Sequence, residues 1–370
     1  MCSPDREPLI DLVRAAAMVG VVVGHWLVTV VVIGHGGALD RLTIESSLRA
    51  LPDLTPLSWV LQTLGLFFFA GGYAATVSRR RAVGRGEGFA SWWLTRVRKL
   101  ATAVAVVLAG WAVVLGVLAL LAELRRPAAD VVINLVTSPL WFLAVYLALL
   151  ALTPLAIVLH RRLGVAGVCL PAGLAVAVEV AVSVGGPAEV GYLTLLAVWW
   201  SAWQLGVSLA AGWRPGVLAG WVLVVGGVVV CVVLVLYAGY PASAVGGTAA
   251  RSNLNPPSAF ALALAAAQLG VVRLLAGPLR TLAVRRRWRT AIAWVNDRAL
   301  PIFLLHQSAL VTVVLLGASF GALPGLHQSP EGLAWPLARL AWCPVFAAVL
   351  VVLLIGLQRL LPRQSVPARH

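Results

Sequence analysis

Ten runs of apolar residues limit what this chain can become. They cover about 9–33, 57–78, 100–122, 139–159, 164–184, 191–212, 216–237, 257–277, 300–318 and 336–358. A helix needs roughly 20 apolar residues to cross the hydrocarbon of a bilayer, and each run reaches that length without a charge cluster inside it. Of the 370 residues, 61% are hydrophobic and 11% charged, against roughly a quarter charged in a soluble protein. Too little polar side chain remains to cover a water-facing surface. A cytosolic globular enzyme, a disordered tail and a secreted disulfide domain are therefore excluded. The expected fold is an all-α integral membrane protein, a bundle of about ten transmembrane helices. It forms one domain over residues 1–370, with its core at about 9–358 and no soluble domain. The first run is too long for a signal peptide and lacks a small-residue cleavage site, so it reads as a retained helix.

The charge is lopsided, 28 Lys+Arg against 13 Asp+Glu for a net +15. With the N-terminus in the cytoplasm, 22 of the 28 basic residues fall on the cytoplasmic side; Arg41, Arg49, Arg125, Arg126, Arg251 and Arg339 fall outside. That bias predicts both termini in the cytoplasm, since Lys and Arg accumulate on that side. Two cytoplasmic connections carry seven basic residues each, one of them Arg79, Arg80, Arg81, Arg85, Arg96, Arg98 and Lys99. Orientation alone needs fewer. Clustered arginines suit phosphate, on lipid headgroups or on a cytosolic ligand. Nucleic acid is not expected, because no fold signal or aromatic interleaving supports it. Cys2, Cys169, Cys231 and Cys343 show no paired or metal-like spacing, so no metal is expected.

Ionisable groups at membrane depth are costly and face the bundle interior, which makes them candidates for function. They are Asp11, Arg14 and His25 on the first helix, Glu179 on the fifth and His306 on the ninth. Arg14 and His25 are eleven residues apart, about three turns and 20°, which puts them on one face ~16 Å apart along the axis. Asp11, three residues before Arg14, is placed to pair with it. A start near Ile10 puts His25 roughly 22 Å deep; His306, six residues into its helix, comes out at ~9 Å. Glu179 matches His25 in depth and would suit an imidazole orienter. The same set would also serve a transporter or flippase, which calls for paired broken helices or repeat symmetry; neither is visible in the sequence.

The stretch Ile10–Trp26, IDLVRAAAMVGVVVGHW, resembles the first helix of membrane-bound acyltransferase family 3, which carries Arg (or Lys), ten residues, then His, here Arg14 and His25. FFFAGGY at Phe67–Tyr73 resembles the family's FFxxSG segment. Arg96 and Lys99, after FASWW, resemble its basic R-x-x-R pair. PLWFL at Pro139–Leu143 and PIFLLH at Pro301–His306 are similar to two further segments, in the same order. Gly71 stands where the family has serine, so no hydroxyl role carries to that position.

The resemblance implies transfer of an acyl group, commonly acetyl, from cytosolic acyl-CoA to a hydroxyl of an extracytoplasmic or lipid-linked acceptor such as a glycan. No permanently bound cofactor is implied; acyl-CoA is a substrate. In that setting His25 is the base or the nucleophile, two routes the residues alone leave open. Arg14, Arg79, Arg80, Arg81, Arg96 and Lys99 are the candidate donor contacts, with His306 and Glu179 assisting. Phe67, Phe68, Trp141 and Phe142 are expected to pack the bundle. Composition associates the chain with a bacterial cytoplasmic membrane.

Overall fold

The computed structural model describes residues 7–34, 42–121, 126–245 and 252–360. It is 81% helical. Among the described residues, nine helical stretches are long and apolar enough to cross a membrane. A tenth forms if the pair Ala259–Leu274 and Ala276–Val284, bent by 69°, counts as one crossing. The all-α membrane bundle is therefore what the chain forms.

The first apolar run does not stay helical to residue 33. Helix α1 (Pro8–Val28) stops, and β1 (Thr29–Ile33) pairs antiparallel with β2 (Leu42–Ser46), Thr29 opposite Ser46 and Ile33 opposite Leu42. Thr29, Val30, Val31, Val32 and Ile33 are all β-branched, stiff at χ1 and favoured on a pleated surface. Hydropathy alone reads this run as more helix. The second run is interrupted as well. A short helix, Thr55–Leu61, ends, and α2 (Leu64–Gly84) begins after Gln62 and Thr63. The break is sealed locally: Leu64 N–H donates to Gln62 Oε1 at 2.8 Å, and Thr63 Oγ1 donates to the Ala17 carbonyl of α1 at 2.8 Å. Gly20 lets α1 approach, since a Cβ there would sit 2.7 Å from Thr63 Oγ1.

The remaining long elements are α3 (Phe89–Leu120), α4 (Arg126–Thr137), α5 (Leu140–Ala151), α6 (Cys169–Ser183) and α7 (Thr194–Ala210). They are followed by α8 (Val217–Tyr237), α9 (Ala259–Leu274), α10 (Arg286–Asp297), α11 (Ala299–Gly317) and α12 (Ala334–Leu360). Here the expected fourth and fifth runs are re-divided. The crossing-length stretches are Arg126–Ala151 and Thr153–Ser183, because α4 prolongs the apolar run backwards despite Asp130 and Asn134. Its polar residues sit on one side of an amphipathic helix, which hydropathy averaging hides.

The chain forms two compact units. One holds residues up to Gly24, Leu48–Trp93 and Trp141–Asp297; the other holds His25–Ser47, Leu94–Leu140 and the chain from Arg298 onward. In the first unit, α2 and α7 meet backbone to backbone. A Cβ at Gly206 would collide with Phe69 O, and one at Gly72 with Trp203 O. Small residues at such crossings let dispersion replace the hydrophobic drive that lipid removes. Around them Phe67, Phe68, Phe142, Tyr146, Trp199 and Trp203 form ring contacts at 4.8–6.4 Å. Phe67, Phe68 and Phe142 thus pack the bundle, whereas Trp141 is exposed.

In the second unit, α11 is sheathed by its neighbours. Ile302 through Val311 are all buried, including the polar trio His306, Gln307 and Ser308.

Candidate active site

In the first unit, the N-terminal turns of α1 and the C-terminal half of α2 enclose a cavity of about 300 Å³. Its walls are Glu7, just before α1, with Ile10, Asp11 and Arg14 on α1, and include Tyr73, Ser78 and Arg81 on α2 with Arg85 at its C-cap. Glu7 is held at 2.9 Å by Arg280 and Arg85 at 2.9 Å by Glu87. The cavity thus gathers three guanidinium groups, the Tyr73 and Ser78 hydroxyls and the Asp11 and Glu7 carboxylates, with Glu7 and Arg85 each ion-paired. Of the six expected donor contacts, it brings together Arg14 and Arg81, and it adds Arg85.

Arg79 and Arg80 do other work. The half-buried Arg79 donates to the Glu87 carbonyl at 2.9 Å and lies 6.0 and 5.8 Å from the Phe89 and Trp92 rings. It thereby closes the turn between α2 and α3. Arg80 donates to the Ala210 carbonyl at 2.7 Å, satisfying an orphan acceptor at the C-terminus of α7. Arg96, half-buried, and Lys99, exposed, lie on the early turns of α3 that belong to the second unit.

The second unit contains a histidine pair. His25, in the last turn of α1, and His306, in α11, have ring centroids 5.0 Å apart with planes inclined at 58°. Helix depth counted from the sequence separates them by more than twice that distance. The count assumes that both helices start at the same level, and the 5.0 Å contact shows that α11 is offset along its axis. His25 is exposed, whereas His306 is fully buried. His306 Nδ1–H donates to the Phe303 carbonyl at 2.6 Å. A neutral imidazole with its proton on Nδ1 carries a lone pair on Nε2, and in His306 that atom is buried without a partner. The Gln307 amide reaches His25 Nδ1 at 3.2 Å, and Gln307 Oε1 is likewise buried without a partner.

The surrounding bonds fix the pair in place. Trp26 Nε1 donates to the His306 carbonyl at 2.9 Å, and Trp111 Nε1 to Ser308 Oγ at 2.8 Å. Arg339, counted from the sequence as an outside-loop charge, is fully buried in α12. It donates to the carbonyls of Trp26 at 2.6 Å, Thr29 at 2.5 Å and Gly325 at 3.0 Å. Its guanidinium also lies 4.9 Å from the Phe346 ring centroid. A cation at a helix C-terminus meets the negative end of the macrodipole, so Arg339 caps the end of α1 that carries His25.

Glu179 is engaged otherwise than as an imidazole orienter. Its Oε1 accepts from the Tyr240 hydroxyl at 2.6 Å and its Oε2 from Ala259 N–H at 2.7 Å. It supplies the cap that α9 lacks from its own N-cap residue, Ser258. The side chain at hydrogen-bonding distance from His25 is Gln307. Gln307 and Arg339 are the residues that sequence reasoning missed. A signal existed for the first: His306, Gln307 and Ser308 are three consecutive polar residues inside an apolar run. Gly71, where the resemblance leads one to expect serine, lies under the Trp203 ring, whose Cζ3 would stand 2.8 Å from an added Cβ.

Among the described residues no group of three His, Cys, Asp or Glu side chains converges as metal ligands. The family model described as an acyltransferase domain matches residues 8–358. No curated protein and no solved structure matches the chain.

Proposed function

The chain belongs to the acyltransferase family that its sequence resembles, and from that premise we propose that it moves an acyl group, acetyl first among candidates, from acyl-CoA to a hydroxyl of an extracytoplasmic or lipid-linked acceptor such as a glycan. The observation that carries this reading is the His25–His306 pair, rings 5.0 Å apart. A hydroxyl is a poor nucleophile at neutral pH and needs a positioned base or a covalent carrier, and imidazole serves as either. In this reading both termini lie in the cytoplasm, in keeping with the distribution of Lys and Arg, and the basic cavity opens on the side where acyl-CoA is available. Arg14, Arg81 and Arg85 then hold its phosphates. The protein works in a bacterial cytoplasmic membrane, among anionic lipids that its basic connections attract.

The test uses the full chain in nanodiscs, labelled acetyl-CoA and an envelope extract as acceptor. His25→Ala is expected to lower transfer by ~10³-fold, within the range for loss of a catalytic acid–base group; near wild-type transfer overturns the assignment. Arg81→Gln is expected to raise KM for acetyl-CoA about tenfold at unchanged kcat, the pattern for lost ground-state binding. An unchanged KM removes the cavity from the donor site.

A second reading, a transporter for an anionic or lipid-linked substrate, draws on the break at Gln62–Thr63 and the 69° bend after Leu274, since interrupted helices frame transporter sites. Thiol release from acetyl-CoA that depends on acceptor separates the two, because a transporter cleaves nothing.

A further inference from the structure

The two histidines differ in ways that chemistry can use. His25 is the accessible member. Its orienting neighbour is the neutral Gln307 amide, and among the described residues no carboxylate pairs with it. A histidine acting as general base becomes an imidazolium and is ordinarily steadied by a carboxylate at its other nitrogen. A neutral amide gives no such support, and His306 is no better supplied, since its Nδ1 meets a backbone carbonyl. Access therefore tells the two apart: His25 is exposed and His306 fully buried, so His25 is the one placed to act as a nucleophile. With the amide turned, Gln307 Oε1 accepts from His25 Nδ1–H and gains the partner it otherwise lacks. That leaves His25 Nε2 without a proton, its lone pair available for attack.

His306 is the reverse case. The Phe303 carbonyl accepts only from N–H, so it fixes the His306 proton on Nδ1 and leaves Nε2 bare. A buried acceptor without a partner is costly, and a hydroxyl brought by a substrate can satisfy it. If His25 carries an acyl group on Nε2, its remaining lone pair, on Nδ1, faces Gln307 and not the incoming hydroxyl. A second base is then required, and His306 lies one ring contact away at 5.0 Å. Bonds of this kind are often incomplete before substrate arrives and close only in the reacting complex.

Resting on the acyltransferase reading, we propose that the pair divides the work: His25 carries the acyl group as an acyl-imidazole, and His306 Nε2 takes the proton of the hydroxyl that receives it. In the first step His25 Nε2 attacks the thioester carbonyl carbon. The C–N bond forms and the C–S bond breaks; the resulting acyl-imidazolium gives up its Nδ1 proton, and the leaving thiolate is protonated to the thiol. In the second step the hydroxyl oxygen attacks the acyl carbon, forming the ester C–O bond as the C–N bond breaks. The hydroxyl proton passes to His306 Nε2, which returns it to His25 and restores the starting state. Overall, thioester and alcohol become ester and thiol, with no oxidant, reductant or metal.

The experiment offers [14C]acetyl-CoA to the full chain in nanodiscs, first without acceptor, then with an envelope extract or hydroxylamine. The wild type is expected to acquire hydroxylamine-labile label, mapped to His25 by mass spectrometry and discharged when extract is added. His306→Gln and His306→Asn are expected to label as the wild type does yet discharge to the extract at least ~100-fold more slowly. Their labelling itself reports that they fold. Hydroxylamine, a strong nucleophile that needs no base, is expected to discharge them at the wild-type rate. His25→Ala takes no label. Transfer to extract by wild type and both His306 variants, with no protein-bound label, overturns the division of labour and leaves the acyltransferase reading standing. Label on His25 that both His306 variants discharge to extract at the wild-type rate overturns the role of His306 alone. Absence of both label and transfer overturns the proposal together with the reading beneath it.

Discussion

Glu179 and His306 are both polar groups set inside apolar helices, and their surroundings are completed to different degrees. Glu179 has both oxygens engaged, by the Tyr240 hydroxyl and the Ala259 amide. Arg339 is similarly complete, with three donors on three carbonyls. His306 and its neighbour Gln307, both buried, each leave one atom without a partner. Folded proteins pair nearly all of their buried polar groups, so an unpaired one asks for an explanation. The complete groups hold helices in register; Trp199 Nε1, Trp203 Nε1, Gln268 Oε1 and Asn296 Oδ1 are also buried without a partner, so an open atom points to a site only where, as at His306, it lies beside a second reactive group. Burial of an ionisable group is thus a weaker guide to function than the state of its hydrogen bonds.

The largest expected effect on stability comes from the complete side. Arg339→Ala strips three acceptors at once and is expected to cost about 4 kcal/mol, read as a lower thermal midpoint in detergent. Arg339→Lys recovers little, because an ammonium has no planar fork to reach several carbonyls. A midpoint within a degree of wild type for Arg339→Ala removes Arg339 from the complete group. On the incomplete side the expected signs are opposite. Gln307→Leu removes a buried atom without a partner, so stability holds or rises by about 1 kcal/mol, while acyl transfer falls about 10–100-fold as His25 loses its orientation. A loss of stability with transfer intact would invert the comparison.

Glu179→Ala is expected to cost about 1–2 kcal/mol through the lost cap and hydrogen bond, with kcat of the folded fraction changed less than twofold. A fall in kcat at unchanged thermal midpoint returns Glu179 to the catalytic set. The smallest effect concerns His327, buried in the turn before α12. Its Nδ1 accepts from Leu323 N–H at 3.2 Å, and its Nε2–H donates to the Val314 carbonyl at 2.9 Å. Burial, more than the nearby Arg339 charge, holds this imidazole below its ordinary value of 6.5. The folded state therefore binds fewer protons than the unfolded chain just below pH 6.5, and stability falls as pH drops through that range. His327→Gln is expected to flatten that part of the profile; an unchanged slope assigns it to other groups.

How much of this was legible before the structure varied with the physics involved. The membrane bundle follows from hydropathy, since bilayer thickness fixes a length that ten runs meet. Scarcity of charge singled out Arg14, His25, Glu179 and His306, and the structure places the first at the cavity and joins the second to the fourth. Depth counting did not bring His25 and His306 together, because it carries no information on how far one helix slides past another. Arg339 was read as loop charge because hydropathy near a span end cannot tell a snorkelling side chain from one turned inward. The β1–β2 pair was missed because a β-branched run is as apolar as a helix. Arg79 and Arg80 looked interchangeable with Arg81 in sequence. Only the nearby carbonyls and rings distinguish them.

One feature of the second unit has a mechanical meaning. The guanidinium of Arg339 joins Trp26 at the end of α1, Thr29 at the start of β1 and Gly325 in the turn before α12. These three chain segments therefore share one fastener, and none of them can drift alone without stretching its bond to it. A molecule that pushes on the turn around Gly325 would tug, through a single side chain, on the last turn of the helix that holds His25. The amide hydrogens of those segments should accordingly exchange with deuterium at one common rate, as the parts of a clasp open together.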